Sequence, residues 1–190
     1  MKKILLITLY LIMPTNLYAQ NTSKVYFAGG CFWCMEESFD KVKGVTKTTS
    51  GYSGGHIKNP KYADVVKNTT GHYETLEITY DVEKINFSKL LSIYWVNIDP
   101  FDKNGQFCDK GESYKSVVFY ESNEQKNIIE NSIKRIEKKF NKKVFTYVKK
   151  FKKFYKAETY HQDYYEKNFL RYMMYKKGCQ REEVLNEIWK

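Results

Sequence analysis

Gly29-Gly30-Cys31-Phe32-Trp33-Cys34 is the stretch whose residue types point most directly to chemistry. A thiol in the first turn of a helix has its thiolate stabilised by the helix dipole and by free backbone N–H groups, so Cys31 is a candidate nucleophile. Cys34 lies three positions on, one helical turn away, where it can reach Cys31 with local adjustment and close a small-loop disulfide. A C-x-x-C pair by itself suits a redox motif, half of a zinc site or a structural pair. The zinc reading needs a second pair of ligands, and Cys108 and Cys179 are far apart with no His beside either, which argues against a bound metal.

The elements that must position this pair can be traced along the chain. Val25 to Ala28 reads as a short buried strand, and Gly29-Gly30 turns it into a helix from Phe32 to Val42 that closes near Gly44. Val45–Tyr52 and Tyr73–Tyr80 read as strands. The second alternates Leu76, Ile78 and Tyr80 against Thr75, Glu77 and Thr79, with a polar Gly/Asn/Pro-rich loop from Gly54 to Tyr62 as a candidate site wall. Phe87–Val96 is apolar at helical spacing after Asn86, Tyr114–Tyr120 alternates as a strand, Ser122–Phe140 is a long amphipathic helix, and Val144–Val148 is a further strand. The order β-α-β-β-α-β-α-β suits an α+β sandwich with a mixed sheet, helices packed on it and long irregular loops.

Composition bounds the rest. A chain of 190 residues that is 42% hydrophobic and 17% aromatic fits one domain and excludes wholesale disorder, collagen and coiled coil. The same apolar content means that four cysteines are not needed as a disulfide scaffold. Its formal charge of +10 raises non-specific attraction to polyanions without naming one. Lys2 and Lys3, the apolar run Ile4–Met13 and the close at Leu17-Tyr18-Ala19 read as a secretory leader over 1–19, too short to span a bilayer. Cleavage there predicts a protein of residues 20–190 with a C-terminal tail from about 170, exported to an oxidising periplasm where disulfides persist, with no stable membrane insertion.

Six motifs in order then carry a family resemblance. Gly30-Cys31-Phe32-Trp33, Gly51-Tyr52-Ser53-Gly54-Gly55, Asn59-Pro60-Lys61-Tyr62, Gly71-His72-Tyr73-Glu74, Asp109-Lys110-Gly111-Glu112-Ser113-Tyr114 and Tyr160-His161-Gln162-Asp163-Tyr164-Tyr165 closely resemble the A-class peptide methionine sulfoxide reductases. The resemblance spans roughly Val25 to Phe169. It implies a ferredoxin-like two-layer sandwich and reduction of the S epimer of methionine sulfoxide, free or in oxidised proteins and peptides, with no cofactor.

The resemblance also implies roles. Cys31 matches the sulfur nucleophile, and Glu74 matches an acid that must stay neutral near pH 7 to protonate the sulfoxide oxygen. Tyr62, Tyr114 and Asp109 match the polar contacts to that oxygen, while Phe32 and Trp33 match the apolar wall around the methyl group. Attack leaves a sulfenic acid on Cys31, which condenses with a nearby thiol. Cys34 is the first choice of resolver, with Cys179 in the tail as a second and Cys108 either at the pocket rim or a buried small hydrophobe. The disulfide is then reduced by a thioredoxin-like partner. The sequence departs from the commonest family pattern at Ser113 and Lys115, which flank Tyr114 and bear on loop geometry.

Taken without their motifs, these residues have blander readings. A Tyr among 17 is more often a half-buried packing residue, Phe32 and Trp33 read as core, and Glu74 on an alternating strand reads as solvent-facing beside Glu77. His72 and His161 read as hydrogen-bonded groups that orient loops. Two other functions compete: a thioredoxin-type thiol-disulfide oxidoreductase using Cys31 and Cys34, whose cis-proline signature is weak with only Pro60 and Pro100 left, and a basic envelope-binding module with structural cysteines. The nine lysines between Lys138 and Lys156 read by default as a solvated face. A monomer that binds no nucleic acid is the expectation.

Overall fold

The computed structural model describes residues 21–190, and the leader expected at 1–19 lies outside the described residues. β1 (Thr22–Ala28), α1 (Phe32–Asp40), β2 (Val45–Ser53), the single turn α2 (Tyr62–Val65), β3 (Tyr73–Asp81) and α3 (Phe87–Trp95) come first. A small hairpin of β4 (Gly105–Gln106) and β5 (Asp109–Lys110) and a 3-10 turn at Glu112–Tyr114 lead into β6 (Val117–Tyr120), α4 (Asn123–Phe140), β7 (Tyr147–Lys150) and β8 (Phe154–Lys156). The described chain ends in α5 (Tyr164–Lys167), α6 (Phe169–Gly178) and α7 (Arg181–Trp189).

The main sheet runs β7-β6-β1-β3-β2-β8, antiparallel throughout except for the β6–β7 pair, so it is mixed. Its inner strands β6-β1-β3-β2, with α1 and α3 as the crossing helices, have the ferredoxin-like βαββαβ arrangement. Side-chain alternation on β1 explains why Val25-Tyr26-Phe27-Ala28 has no polar partner row. Val25 and Phe27 face the main core with Met35, Leu76, Leu90 and Ile129, while Tyr26 and Ala28 face a second cluster with Tyr73, Val117 and Phe119. That second face is covered by the chain between β7 and β8, where Phe151 stacks on Tyr26 at 3.8 Å and Phe154 lies 5.7 Å away. A strand buried on both sides reads as an unbroken apolar run.

Local chemistry sets the helix ends. Asn86 accepts the Lys89 N–H at 2.9 Å and Ser122 accepts the Gln125 N–H at 3.1 Å, each satisfying a free amide of the first turn. Asn141, at φ +49°, closes α4 in the left-handed conformation.

Three expectations are corrected. The strand expected from Tyr114 begins at Val117, because Gly111 at φ +122° opens a 3-10 turn in which the Tyr114 N–H reaches the Gly111 carbonyl at 3.2 Å. The strand expected at Val144–Val148 runs instead from Tyr147 to Lys150. The tail is two helices: Arg181 is buried, donates to the Asn97 carbonyl at 2.5 Å and lies 4.3 Å over the Phe107 ring, and Trp189 donates to the Ile98 carbonyl at 3.1 Å. Among the described residues no helix is long and apolar enough to cross a membrane.

Candidate active site

Gly30 makes the turn from β1 into α1. It sits at φ +80° with Gln106 so close that an added Cβ would lie 2.6 Å from the Gln106 Cβ. Cys31 follows as the residue capping α1, its carbonyl accepting the N–H groups of Cys34 at 3.2 Å and Met35 at 3.4 Å. The first turn of α1 therefore presents Cys31, Phe32 and Trp33 to one small cavity, and Cys34 lies behind Cys31 in a cluster with Tyr164 and Tyr172.

That cavity has about 70 Å³ of accessible room and is lined by Cys31, Phe32, Trp33, Tyr62, Glu74, Asp109, Tyr114 and Tyr175. It admits a few heavy atoms. A roomier groove of about 550 Å³ along Asp40, Thr48, Gln162 and Tyr165 holds no thiol and has the solvent-swept lining of an open surface. The small cavity is the one with chemistry in it.

Glu74 belongs to the start of β3, paired with Tyr52 of β2. It shares parity with Leu76 and Ile78, so it lies on the core face and not beside Glu77, which corrects the solvent-facing reading; only 2% of it is exposed. Its Oε2 accepts the Phe32 N–H at 3.0 Å. Burial pushes the carboxyl well above its ordinary range despite that hydrogen bond, and the nearby Asp109 charge pushes the same way. Burial thus favours the proton-bearing form of Glu74.

The two phenols come from separate segments. Tyr62 starts α2, where its N–H is held by Glu158 Oε1 at 3.0 Å, and Tyr114 ends the 3-10 turn. They are hydrogen-bonded to each other, and burial together with the Glu74 charge raises both, Tyr62 to about 12. Both stay protonated donors across the physiological range. Ser113 and Asn68 fix their separation: the Ser113 N–H and hydroxyl both donate to Asn68 Oδ1, at 2.9 and 3.1 Å. Lys115 pairs with Glu112 at the surface. The two departures from the family pattern thus brace the turn that carries Tyr114.

The aromatic wall is built by stacking. Trp33 lies flat on Tyr164 at 3.7 Å and donates its indole N–H to His161 Nδ1 at 3.2 Å, while Phe32 packs on His161 at 5.0 Å. Burial lowers His161 to about 4, so it is a neutral acceptor that orients the indole. His72 accepts the Gly55 N–H at 3.2 Å and donates to the Ile57 carbonyl at 2.8 Å, tying down the Gly54–Tyr62 loop. Both histidines support loops and walls.

The thiols correct one part of the sequence reading. Cys31 and Cys34 are free, buried and hydrogen-bonded to each other. Burial pushes the Cys31 thiol well above its ordinary value, and the hydrogen bond to Cys34 adds to the effect, opposing the stabilisation expected of the helix N-terminus. Cys34 is lowered to about 7 by the hydrogen bond from Cys31, helped by Arg181 and by the Tyr172 phenol. The two shifts run in opposite directions, so Cys34 is the readier of the pair to ionise.

Cys179 is bonded to Cys108, and Cys108 is exposed instead of acting as a small core residue. Tyr175, to which the sequence reading gave no role, lines the cavity from α6 and donates to Asp109 Oδ2 at 2.5 Å. The signal for it was its place one helical turn before Cys179. Glu36 is a further buried carboxyl, one turn beyond Phe32 on α1. It accepts the Asp163 N–H at 2.9 Å and is pushed up to about 8 by burial and by Asp40 and Asp163. Among the described residues no cluster of side chains could hold a metal ion.

Comparison with known proteins agrees with this geometry. The family model described as peptide methionine sulfoxide reductase matches residues 23–190. The peptide methionine sulfoxide reductase MsrA of Bacillus licheniformis is 44% identical over 173 residues, covering 90% of this chain and 96% of its own. Mxr1 from Saccharomyces cerevisiae in reduced form superposes with a TM-score of 0.73 at 28% identity, covering 77% of this chain and 86% of its own. Mxr1 in complex with Trx2 superposes with a TM-score of 0.54 at 20% identity, covering 75% of this chain and 84% of its own, a likeness of fold. With nearly the whole described chain matched, and a buried thiol and a neutral carboxylic acid facing one cavity, the protein belongs to the peptide methionine sulfoxide reductase family.

Proposed function

We propose that the protein reduces the S epimer of methionine sulfoxide, in oxidised proteins and peptides or free, as a repair enzyme. The observation that carries this reading is that Cys31 and the protonated Glu74 line the same small cavity, together with two phenols and an aromatic wall. The methyl group packs on Phe32 and Trp33, and the sulfoxide oxygen takes hydrogen bonds from Glu74 and the Tyr62–Tyr114 pair. Cys31 gives its proton to Cys34 through their shared hydrogen bond, and its sulfur attacks the sulfoxide sulfur as Glu74 protonates the oxygen. The S–O bond breaks, methionine leaves, and the hydroxyl passes to Cys31 as a sulfenic acid. Cys34 then displaces that hydroxyl as water, with its own thiol proton, and a Cys31–Cys34 disulfide remains. One sulfoxide is reduced and two thiols are oxidised.

The disulfide is returned to thiols by a thioredoxin-like reductant; the complex of Mxr1 with Trx2 supports this choice. The leader-like residues 1–19 support export to the periplasm, where the Cys108–Cys179 bond would persist. Single-turnover reduction of the two separated epimers of a methionine sulfoxide peptide, with Cys31→Ser alongside, tests the reading. Conversion of the S epimer alone, lost in the variant, is expected; conversion of neither epimer would overturn it.

A further inference from the structure

Outside the cavity the least balanced surface is the one carried by residues 138–157. Nine lysines and no Asp or Glu lie between Lys138 and Ala157, and among the described residues none of the nine takes part in an ion pair. The fold brings four of them together. The chain crossing from β7 to β8 turns Phe151 and Phe154 onto the sheet, which leaves Lys149, Lys150, Lys152 and Lys153 to line a groove of about 340 Å³ whose opposite wall is Gly54-Gly55. Lys149 Nζ sits 4.9 Å over the Tyr73 ring and Lys153 Nζ 4.9 Å over the Tyr155 ring, so aromatic faces and not carboxylates hold these ammonium groups.

The groove reaches toward the catalytic cavity at Tyr155, which lines the groove and packs against the cluster of Phe32, Tyr52 and Val65 that Trp33 and Tyr62 also join. Tyr73, under Lys149, precedes Glu74 on β3 and turns its ring to the opposite face of the sheet. Gly55 is bonded to His72 in the loop that leads to Tyr62, and Lys115, next to Tyr114, lies 5.9 Å from the Tyr147 ring. Four lysines lining one concave groove fit an extended chain bearing carboxylates better than the plane of a bilayer. We infer that this groove binds an acidic stretch of the polypeptide whose methionine sulfoxide enters the cavity, so that the enzyme favours sulfoxides with Asp or Glu nearby. The inference rests on the reductase reading.

The test uses two peptides of equal length with one central methionine sulfoxide, flanked by Glu or by Lys, and N-acetylmethionine sulfoxide as a substrate too small to reach the groove. The expected result is a preference in kcat/KM for the Glu peptide of about tenfold at low ionic strength, erased by high salt. Lys149→Glu with Lys150→Glu, and separately Lys152→Glu with Lys153→Glu, should each remove it while N-acetylmethionine sulfoxide is reduced as before, which also reports that the variants fold. Anisotropy of a fluorescein-labelled Glu-rich peptide without sulfoxide reads the groove independently of turnover, so an inactive enzyme that still binds it would sink the reductase reading alone. A wild type without the preference, or variants that keep it, would overturn the inference. So would salt-sensitive binding to phosphatidylglycerol vesicles lost in the variants while the peptides are reduced equally, an outcome that assigns the face to a membrane.

Discussion

The Tyr175 phenol donates to Asp109 at 2.5 Å inside the cavity, and the same two segments are joined covalently by the Cys108–Cys179 disulfide. Asp109 directly follows Cys108. Cys179 lies one helical turn beyond Tyr175, its N–H on the Tyr175 carbonyl at 3.0 Å. The four residues form a closed ring, with a disulfide on one side and a phenol–carboxylate hydrogen bond on the other. Tyr175→Phe should therefore lower kcat/KM about tenfold or more, the worth of a hydrogen bond to a charged group. Steady-state kinetics with N-acetylmethionine sulfoxide checks this, and an unchanged kcat/KM would show that Asp109 keeps its place without the phenol.

The cysteines divide into two pairs with different expected phenotypes. Cys34→Ser should complete one reduction per enzyme and stop, with a sulfenic acid on Cys31 that dimedone captures for mass spectrometry. Cys108→Ser with Cys179→Ser should keep turning over with a small-molecule dithiol. That variant should lose about 2–4 kcal/mol of stability in urea unfolding through loss of the long-range cross-link. If it instead stalls after one turnover, Cys34 is not the sufficient resolver.

Burial raises Glu74 well above the ordinary carboxylate range, so the carboxyl keeps its proton to higher pH than an exposed Glu does. The step that needs its proton should therefore slow as pH rises through that raised value. Glu74→Gln, which keeps the acceptor for the Phe32 N–H but has no acidic proton, should cost about 10²–10⁴-fold in single-turnover rate. A rate within threefold of wild type would mean that another group protonates the oxygen.

Glu36 offers a stability test separate from catalysis. Its folded-state value of about 8 lies above the 4.5 of an ordinary Glu, so ionisation is disfavoured by folding. Stability is therefore full below the unfolded value and declines as pH rises from about 4.5 toward 8. Glu36→Gln keeps an acceptor for the Asp163 N–H and removes the titration. Its melting temperature should exceed that of wild type at pH 9 by several degrees, at about 2–4 °C per kcal/mol, and match it at pH 5. Parallel melting curves at both pH values would contradict a buried, neutral Glu36.

Where the sequence was legible, the cause was local. Gly29-Gly30 before Cys31, the caps at Asn86 and Ser122 and the alternation along β3 depend on neighbours within a few residues, and those elements sit where the patterns put them. Parity on β3 even contained the burial of Glu74, since it counts with Leu76 and Ile78. Contacts made by the C-terminal segment were not legible in this way. The apolar residues of α6 are divided between the cavity side, with Tyr172 and Tyr175, and solvent, where Leu170 and Met174 are 77% exposed, so no amphipathic period announces the packed face. The pairing of Cys108 with Cys179 depends on α6 docking against the β4–β5 hairpin, a tertiary event that spacing cannot encode. The thiol equilibrium likewise followed burial more than the helix terminus.

The seclusion of Cys31 bears on how the protein survives its own working conditions. Cys31 is 5% exposed, lines a cavity of about 70 Å³, and burial favours its thiol form. Oxidation by peroxide or hypochlorous acid favours an accessible thiolate. A nucleophile that is neither accessible nor ionised at rest is a poor target for the oxidants that create its substrate. Burial of this kind guards the thiol of a repair enzyme against the same oxidants that damage the proteins it restores.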